Sequence, residues 1–365
     1  MLQKPLFSAL LLSVLTYTSI AQDNTPKYSN EFLSIGVGAR ALGMSNAFIA
    51  TCDDVTGGYW NPAALLNVKG DMQVGLMHAS YFANIAKYDY GSMVKSIDQK
   101  SSAAFSIIRF GVDDIPNTTE LIDGQGNIDY DKVTTFSAAD YAFIFSYARK
   151  SKIEGLNLGG NAKIIHRKVG DFGKAWGFGL DASITYTKNK WRFAAVGRDI
   201  TTTFNAWSYN LSETTKETFT ATGNDIPKNS LEITLPKLLT GAAYTTKIKK
   251  HFSLTGELDM DFTFDGQRNV LISAKPVSVD PHAGLEAGYK GIVFLRGGIG
   301  NIQRIKRIEG GENLNVQPNF GIGVKIKIFS IDYAFTDVGN VSEALYSNIF
   351  SLKIDISKPT GKSSL

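Results

Sequence analysis

Three carboxylates spaced two residues apart, Glu257, Asp259 and Asp261, stand out chemically, with Asp265 just beyond them. Paired carboxylates can relay protons as acid and base, or hold a hard cation. The spacing departs from that of an EF-hand calcium loop. The four histidines, His78, His166, His251 and His282, lie in separate segments without paired metal-ligand spacing. A serine hydrolase would need a serine within reach of an oriented histidine, and no local signature marks one. Gly297-Gly298-Ile299-Gly300, after Arg296, does not precede a helix, so it fails the phosphate-loop context and reads as a strand end. Asp123-Gly124-Gln125-Gly126-Asn127 reads as a loop tip. These residues give no grounds to expect an enzyme, a cofactor or a metal site.

The elements carrying the acidic residues explain them better. Successive side chains on a strand point to opposite faces. Over Phe252–Phe262, Phe252, Leu254, Leu258, Met260 and Phe262 therefore share one face, opposite Ser253, Thr255, Glu257, Asp259 and Asp261. Trp176–Tyr186 repeats the pattern, with Trp176, Phe178, Leu180, Ala182, Ile184 and Tyr186 facing one way and Asp181 the other. About ten alternating residues with aromatics at both ends match a strand that crosses an outer membrane. Similar strands are expected at 141–148, 156–166, 320–326 and 350–356. Fainter ones are expected near 71–79, 87–95, 102–110, 191–198, 237–246, 281–288, 291–299 and 329–336. The fold class predicted is all-β, a transmembrane antiparallel β-barrel of about fourteen strands. Its lumen would hold Lys163, Asp181, Glu257, Asp259 and Asp261 in a salt-bridge and water network, with Arg167, Arg192 and Arg198 as partners.

The connections support a barrel. Tight links at 95–101, 149–155, 187–190, 247–251, 289–291 and 327–329 alternate with mostly longer ones at 111–137, 199–235, 263–280, 300–317 and 337–344, with 169–174 the short exception. Outer-membrane barrels sort short periplasmic turns from long outer loops in this way. No helical period is sustained beyond residue 70. Met1–Lys4 form a short positive region and Leu6–Leu15 an apolar one, and Ser19-Ile20-Ala21 supplies the small residues of a cleavage site. The expected organisation is a signal peptide at 1–21, an N-terminal plug or hatch at 22–68, the barrel at 69–357 and a tail at 358–365. That arrangement places the protein in the outer membrane of a Gram-negative cell. The single cysteine, Cys52, excludes an internal disulfide, and a net charge of +4 gives no argument for nucleic acid as a partner.

The segment from Phe32 to Leu66 is rich in glycine and breaks with the strand pattern. It contains Gly38-Ala39-Arg40-Ala41-Leu42-Gly43-Met44, Ala47-Phe48-Ile49-Ala50 and Tyr59-Trp60-Asn61-Pro62-Ala63. Asn61-Pro62 favours an abrupt turn, because proline fixes its own φ and restricts the residue before it. These runs resemble the PorV/PorQ family, outer-membrane barrels of the Bacteroidetes type IX secretion system that are similar in fold to the fatty-acid transporter FadL. The opening Lys27-Tyr28-Ser29-Asn30-Glu31-Phe32-Leu33 looks more like a PorV paralogue. The resemblance implies a fourteen-stranded barrel, a hatch bearing Gly38, Arg40, Gly43, Tyr59, Trp60, Asn61, Pro62 and Ala63, and an opening in the wall. It implies partners too: secreted cargo proteins carrying C-terminal signal domains, and other components of the secretion machinery. The alternative is a FadL-like transporter of hydrophobic small molecules such as fatty acids. The polar face of the predicted lumen weighs against that alternative.

Overall fold

The computed structural model describes residues 29–82, 84–122, 126–306, 311–336 and 347–356. The expected signal peptide, the C-terminal tail and most of the Asp123–Asn127 tip lie outside the described residues. After an N-terminal segment, the chain forms β1 (Met72–Tyr81), β2 (Ala86–Ser96), β3 (Ser101–Asn117), β4 (Thr134–Lys150), β5 (Leu156–Val169) and β6 (Gly173–Lys188). It continues through β7 (Trp191–Arg198), β8 (Thr203–Tyr209), β9 (Ser230–Thr234), β10 (Lys237–Ile248) and β11 (Phe252–Thr263). It closes with β12 (Ser278–Tyr289), β13 (Val293–Lys306), β14 (Glu312–Ile326), β15 (Phe329–Thr336) and β16 (Ser347–Ile356).

Neighbouring strands pair antiparallel, and β1 closes the sheet on β16 from Met72↔Ile356 to Ser80↔Asn348. The sixteen strands make fourteen staves. β7 and β8 both lie along the same edge of β6, and β9 and β10 follow them as a second interrupted stave. The expected count of about fourteen is met. Closure of β1 on β16 removes most of the sheet edge that lipid cannot solvate, and backbone polar groups there pair between neighbouring strands.

Side-chain alternation sets the two faces. On β6, Trp176 is 53% exposed and Phe178 and Ile184 are exposed beside it, while Asp181, Ser183 and Thr185 are buried. On β11, Phe252, Leu258 and Met260 are exposed, and Glu257 and Asp259 are buried. Large apolar groups covering a whole exterior are stable only against hydrocarbon. The start of β1, the end of β16 and the short links after β2, β4, β6, β10, β12 and β14 lie at one rim; the long connections lie at the other, together with the short links after β1 and β5.

Two local expectations are corrected. The link at 199–235 is not a bare loop; it carries β8, β9 and a helix, Glu213–Ala221, capped by Ser212, whose side chain accepts from the Thr215 N–H. That helix is polar along much of its length, which hides it from a search for apolar periodicity. Gly297–Gly300 lies within β13, not at its end, and Gly298 and Gly300 leave room for Met44 and Ser45 against the inner wall.

Candidate functional site

Residues 29–68 lie inside the barrel. The segment is built from one-turn helices at Ala39–Leu42 and Gly57–Trp60 and a 3-10 turn at Pro62–Asn67. Elements this short leave many backbone donors unpaired, and a buried donor without an acceptor costs about 1–3 kcal/mol. The wall supplies the acceptors. Asp259 accepts the N–H groups of Phe48 (2.8 Å) and Ile49 (3.1 Å), and Glu257 accepts those of Ala50 (2.6 Å) and Thr51 (3.0 Å) as well as the Thr51 hydroxyl.

The expected pairing of Glu257 and Asp259 with lumen arginines is therefore corrected. A fixed row of four N–H groups, shielded from water, takes the two carboxylates instead. Arg192 donates to the Thr51 carbonyl (3.4 Å) and Arg198 to those of Leu33 (3.5 Å) and Tyr59 (3.3 Å). Asp261 stands apart from the other two acids, with His282 Nε2 4.0 Å away.

The remaining motif residues have separate tasks. Gly38 adopts φ +87°, which a side chain would strain, and its N–H points at Met77 Sδ (2.9 Å). Gly43 sits so near β14 that an added Cβ would lie 2.9 Å from Gly321 Cα. The Tyr59 hydroxyl donates to the Leu33 carbonyl (2.6 Å), and Trp60 Nε1 donates to that of Val37 (2.8 Å). Asn61, fully buried, accepts from the Ala63 N–H (3.1 Å) and donates to the Ile49 carbonyl (2.9 Å). Pro62 occupies the first position of the 3-10 turn, where its missing N–H costs nothing, and the Ala63 N–H also reaches Ser183 Oγ (2.9 Å) on β6.

Arg40 ties the segment to the opposite wall. It binds Asp53 (2.5 Å) and Glu286 (2.8 Å); Arg296 bridges Glu286 (2.6 Å) to Asp332 (2.8 Å); Lys353 bridges Asp332 (3.1 Å) back to Asp54 (2.7 Å). The result is a closed ionic circuit between the segment and β12, β13, β15 and β16. Burial opposes the charge on Arg40, yet Glu286 and Asp53 hold its guanidinium protonated above its ordinary range. Burial likewise opposes the Asp54 carboxylate, and Lys353 with Arg40 overcomes it, holding that carboxyl well below the usual range. Sequence reading missed Glu286, Arg296, Asp332 and Lys353. Each is a charged residue in the inward register of a recognisable strand, and that was the available signal.

A second cluster pins an irregularity in the wall. Between Gly197 and Phe204 the chain spends six residues opposite only three of β6, with Asp199 and Thr202 at positive φ. Such a bulge frees the strand from its ladder. Lys163 binds Asp181 (2.7 Å) and Asp199 (2.5 Å), Asn161 donates to Asp181 (3.0 Å), and the Asp199 N–H donates to Asp181 (2.9 Å). Above this point β9 has β8 on one edge; among the described residues no strand pairs with its other edge, and the β10–β11 ladder stops at Lys237↔Thr263.

The segment divides the lumen. On the long-loop side is a chamber of about 430 Å³, whose apolar groups include Ile35, Leu42, Trp60, Leu239 and Val270 and whose polar and charged groups include Arg198, Lys237, Arg268, Asp261 and His282. On the short-turn side is a more polar vestibule of about 840 Å³ that contains the Arg40 circuit. A crevice of about 30 Å³ beside the bulge shares Arg198 and Lys237 with the chamber. Among the described residues, no group of three His, Cys, Asp or Glu side chains is arranged to hold a metal ion.

A closed fourteen-stave barrel with an apolar exterior and a polar, segment-filled lumen defines an outer-membrane barrel of the FadL-like fold. Solved structures of that fold match nearly the whole chain. The CymD monoaromatic hydrocarbon channel matches with a TM-score of 0.54 at 13% identity, covering 89% of this chain and 98% of its own. The P. putida toluene transporter TodX gives 0.55 at 12% identity, covering 88% and 99%. A Pseudomonas aeruginosa FadL homologue gives 0.51 at 11% identity, covering 87% and 97%. No family model and no curated protein matches the sequence. The type IX secretion reading therefore rests on the motif resemblance in residues 27–63 alone.

Proposed function

We propose that the chain is an outer-membrane channel for small hydrophobic or amphipathic molecules, with the segment at 29–68 as its plug. One observation carries this reading. Arg198 and Lys237 line the chamber and also stand at the wall interruption, so a molecule in the chamber lies beside the place where the ladder ends. The polar lumen, which weighed against transport, is largely occupied in holding the plug: Glu257, Asp259, Glu286 and Asp332 are taken by segment or wall donors. What the chamber offers a ligand is an apolar patch of Leu42, Trp60 and Leu239 beside a few charged groups, the usual make-up of a small-molecule pocket. The matched structures, a monoaromatic hydrocarbon channel and a toluene transporter, favour this reading over cargo docking.

Titrating the detergent-solubilised barrel with lauric acid and with toluene should give saturable binding. Leu239 lines the chamber, and a glutamine there would place an amide against a hydrocarbon ligand that offers it no hydrogen bond, at a cost of about 1–3 kcal/mol. Leu239→Gln should therefore weaken binding at least tenfold. No saturable binding, or recovery of secreted proteins by a barrel that binds neither compound, would favour cargo docking.

A further inference from the structure

The two rims carry opposite charge. The six short links at 95–101, 149–155, 187–190, 247–251, 289–291 and 327–329 contain twelve basic residues and two acidic ones. The five long links at 111–137, 199–235, 263–280, 300–317 and 337–344 contain eight basic and seventeen acidic. The asymmetry is far larger than the net charge of +4 requires, and it persists when Asp199, buried in the wall, is set aside.

The placement of the cations is also regular. On β2, β4 and β6 the outward positions run Met93 then Lys95, Tyr147 then Arg149, and Tyr186 then Lys188. In each case the lipid-facing register ends on a cation at the short-turn rim. Lys190 and Lys290 lie over the rings of Tyr244 (5.8 Å) and Tyr289 (5.3 Å), two exposed aromatics of the same rim. Glu154, ahead of Leu156 on β5, is the acidic exception among these outward positions. Long cationic side chains next to an aromatic girdle lay their stems on apolar surface and carry the charge to headgroup level.

We propose that the short-turn rim binds the phosphate headgroups of anionic phospholipids in the leaflet it faces. The cations are spread over all six turns as a ring, and at β2, β4 and β6 they continue the lipid register, while Lys247, Lys250 and Lys290 line the vestibule inside it. An encircling layer of lipid meets such a ring, whereas a folded protein partner would meet only one sector of it. Each lysine near an anionic surface adds a modest attraction that falls with salt, and several together become selective.

Native mass spectrometry of the full barrel, after incubation with equal phosphatidylglycerol and phosphatidylcholine, tests this. Phosphatidylglycerol should be retained at least fivefold over phosphatidylcholine. A variant carrying Lys95→Gln, Arg149→Gln, Lys188→Gln and Lys190→Gln should lose the preference. Lys132→Gln, Lys216→Gln, Lys228→Gln and Arg304→Gln in the long loops should leave it intact. Should the rim variant fail to assemble, the wild-type preference must still fall as salt rises from 50 to 500 mM. Equal retention by the wild type, a preference unmoved by the rim variant or by salt, or capture of an acidic protein by a rim that shows no lipid preference would each overturn the proposal.

Discussion

Replacing Gly159 with valine should open the barrel along its axis while leaving its wall assembled. Gly159 faces inward on β5, and a Cβ built there overlaps the backbone of Pro62 and Ala63, which cannot rotate away as a side chain would. Valine adds three carbons at a point where there is no room for one. The turn at Pro62–Asn67 must then leave its seat, and with it go the Ala63 bonds to Ser183 and Asn61 and the Asn61 bond to the Ile49 carbonyl. Overpacking of this kind costs about 1–3 kcal/mol when neighbours can yield, and more against backbone. The outer face is untouched, so heat-modifiable migration on gels should persist. Permeability of reconstituted vesicles to sucrose, near background for the wild type, should rise by an order of magnitude. Gly91→Val, on the outward face where an added Cβ meets nothing nearer than Leu76 Cδ2 at 3.6 Å, is the control and should do nothing. An impermeable Gly159→Val barrel would mean that the segment does not seal the lumen.

The second large effect is expected at Arg296. Its side chain is 2% exposed and joins Glu286 to Asp332, so Arg296→Met deprives two buried carboxylates of a partner at once. Breaking a buried pair from one side costs about 3–5 kcal/mol, because the remaining charge stays buried. Arg40 still reaches Glu286 and Lys353 still reaches Asp332, which places the expected loss near the lower end, about 3 kcal/mol. Urea unfolding of the barrel in vesicles measures it. Adding Glu286→Gln to Arg296→Met should cost less than the sum of the two single changes, since they act on one contact. Strict additivity would show that the circuit does not act as a unit.

The wall was legible because each stave repeats one local rule. Trp176–Tyr186 announces itself by alternation, and so does Phe252–Phe262. The link lengths then indicate which rim is which. The interruption of the wall was not legible, since nothing local marks it: the left-handed positions fall on Asp199 and Thr202 instead of on glycines, and β9 and β10 are parted by only two residues. The ionic circuit was hidden for another reason. Arg40 and Glu286 stand 246 residues apart, and only barrel closure brings them together. The same holds for Glu257 and Asp259, whose inward facing could be read from the strand but whose partners, the N–H groups of Phe48–Thr51, could not. A row of inward carboxylates suggests cations, and backbone donors leave no mark in composition. The Gly38–Ala63 run was distinctive as a motif. Its glycines and Asn61 serve turns and close approaches, which any segment seated in a lumen needs; the run therefore locates the lumen segment better than it names a purpose.

The central claim is that hydrophobic molecules cross by way of the chamber while the plug keeps the axis shut. It is tested most directly by uptake into cells whose own hydrocarbon channel has been deleted and which express this chain. The account predicts that labelled laurate or toluene enters several-fold faster than in cells with the empty vector, that Leu239→Gln removes the gain, and that sensitivity to a large hydrophilic antibiotic is unchanged. Uptake equal to the empty vector, from a barrel shown to be folded in the outer membrane, would contradict it.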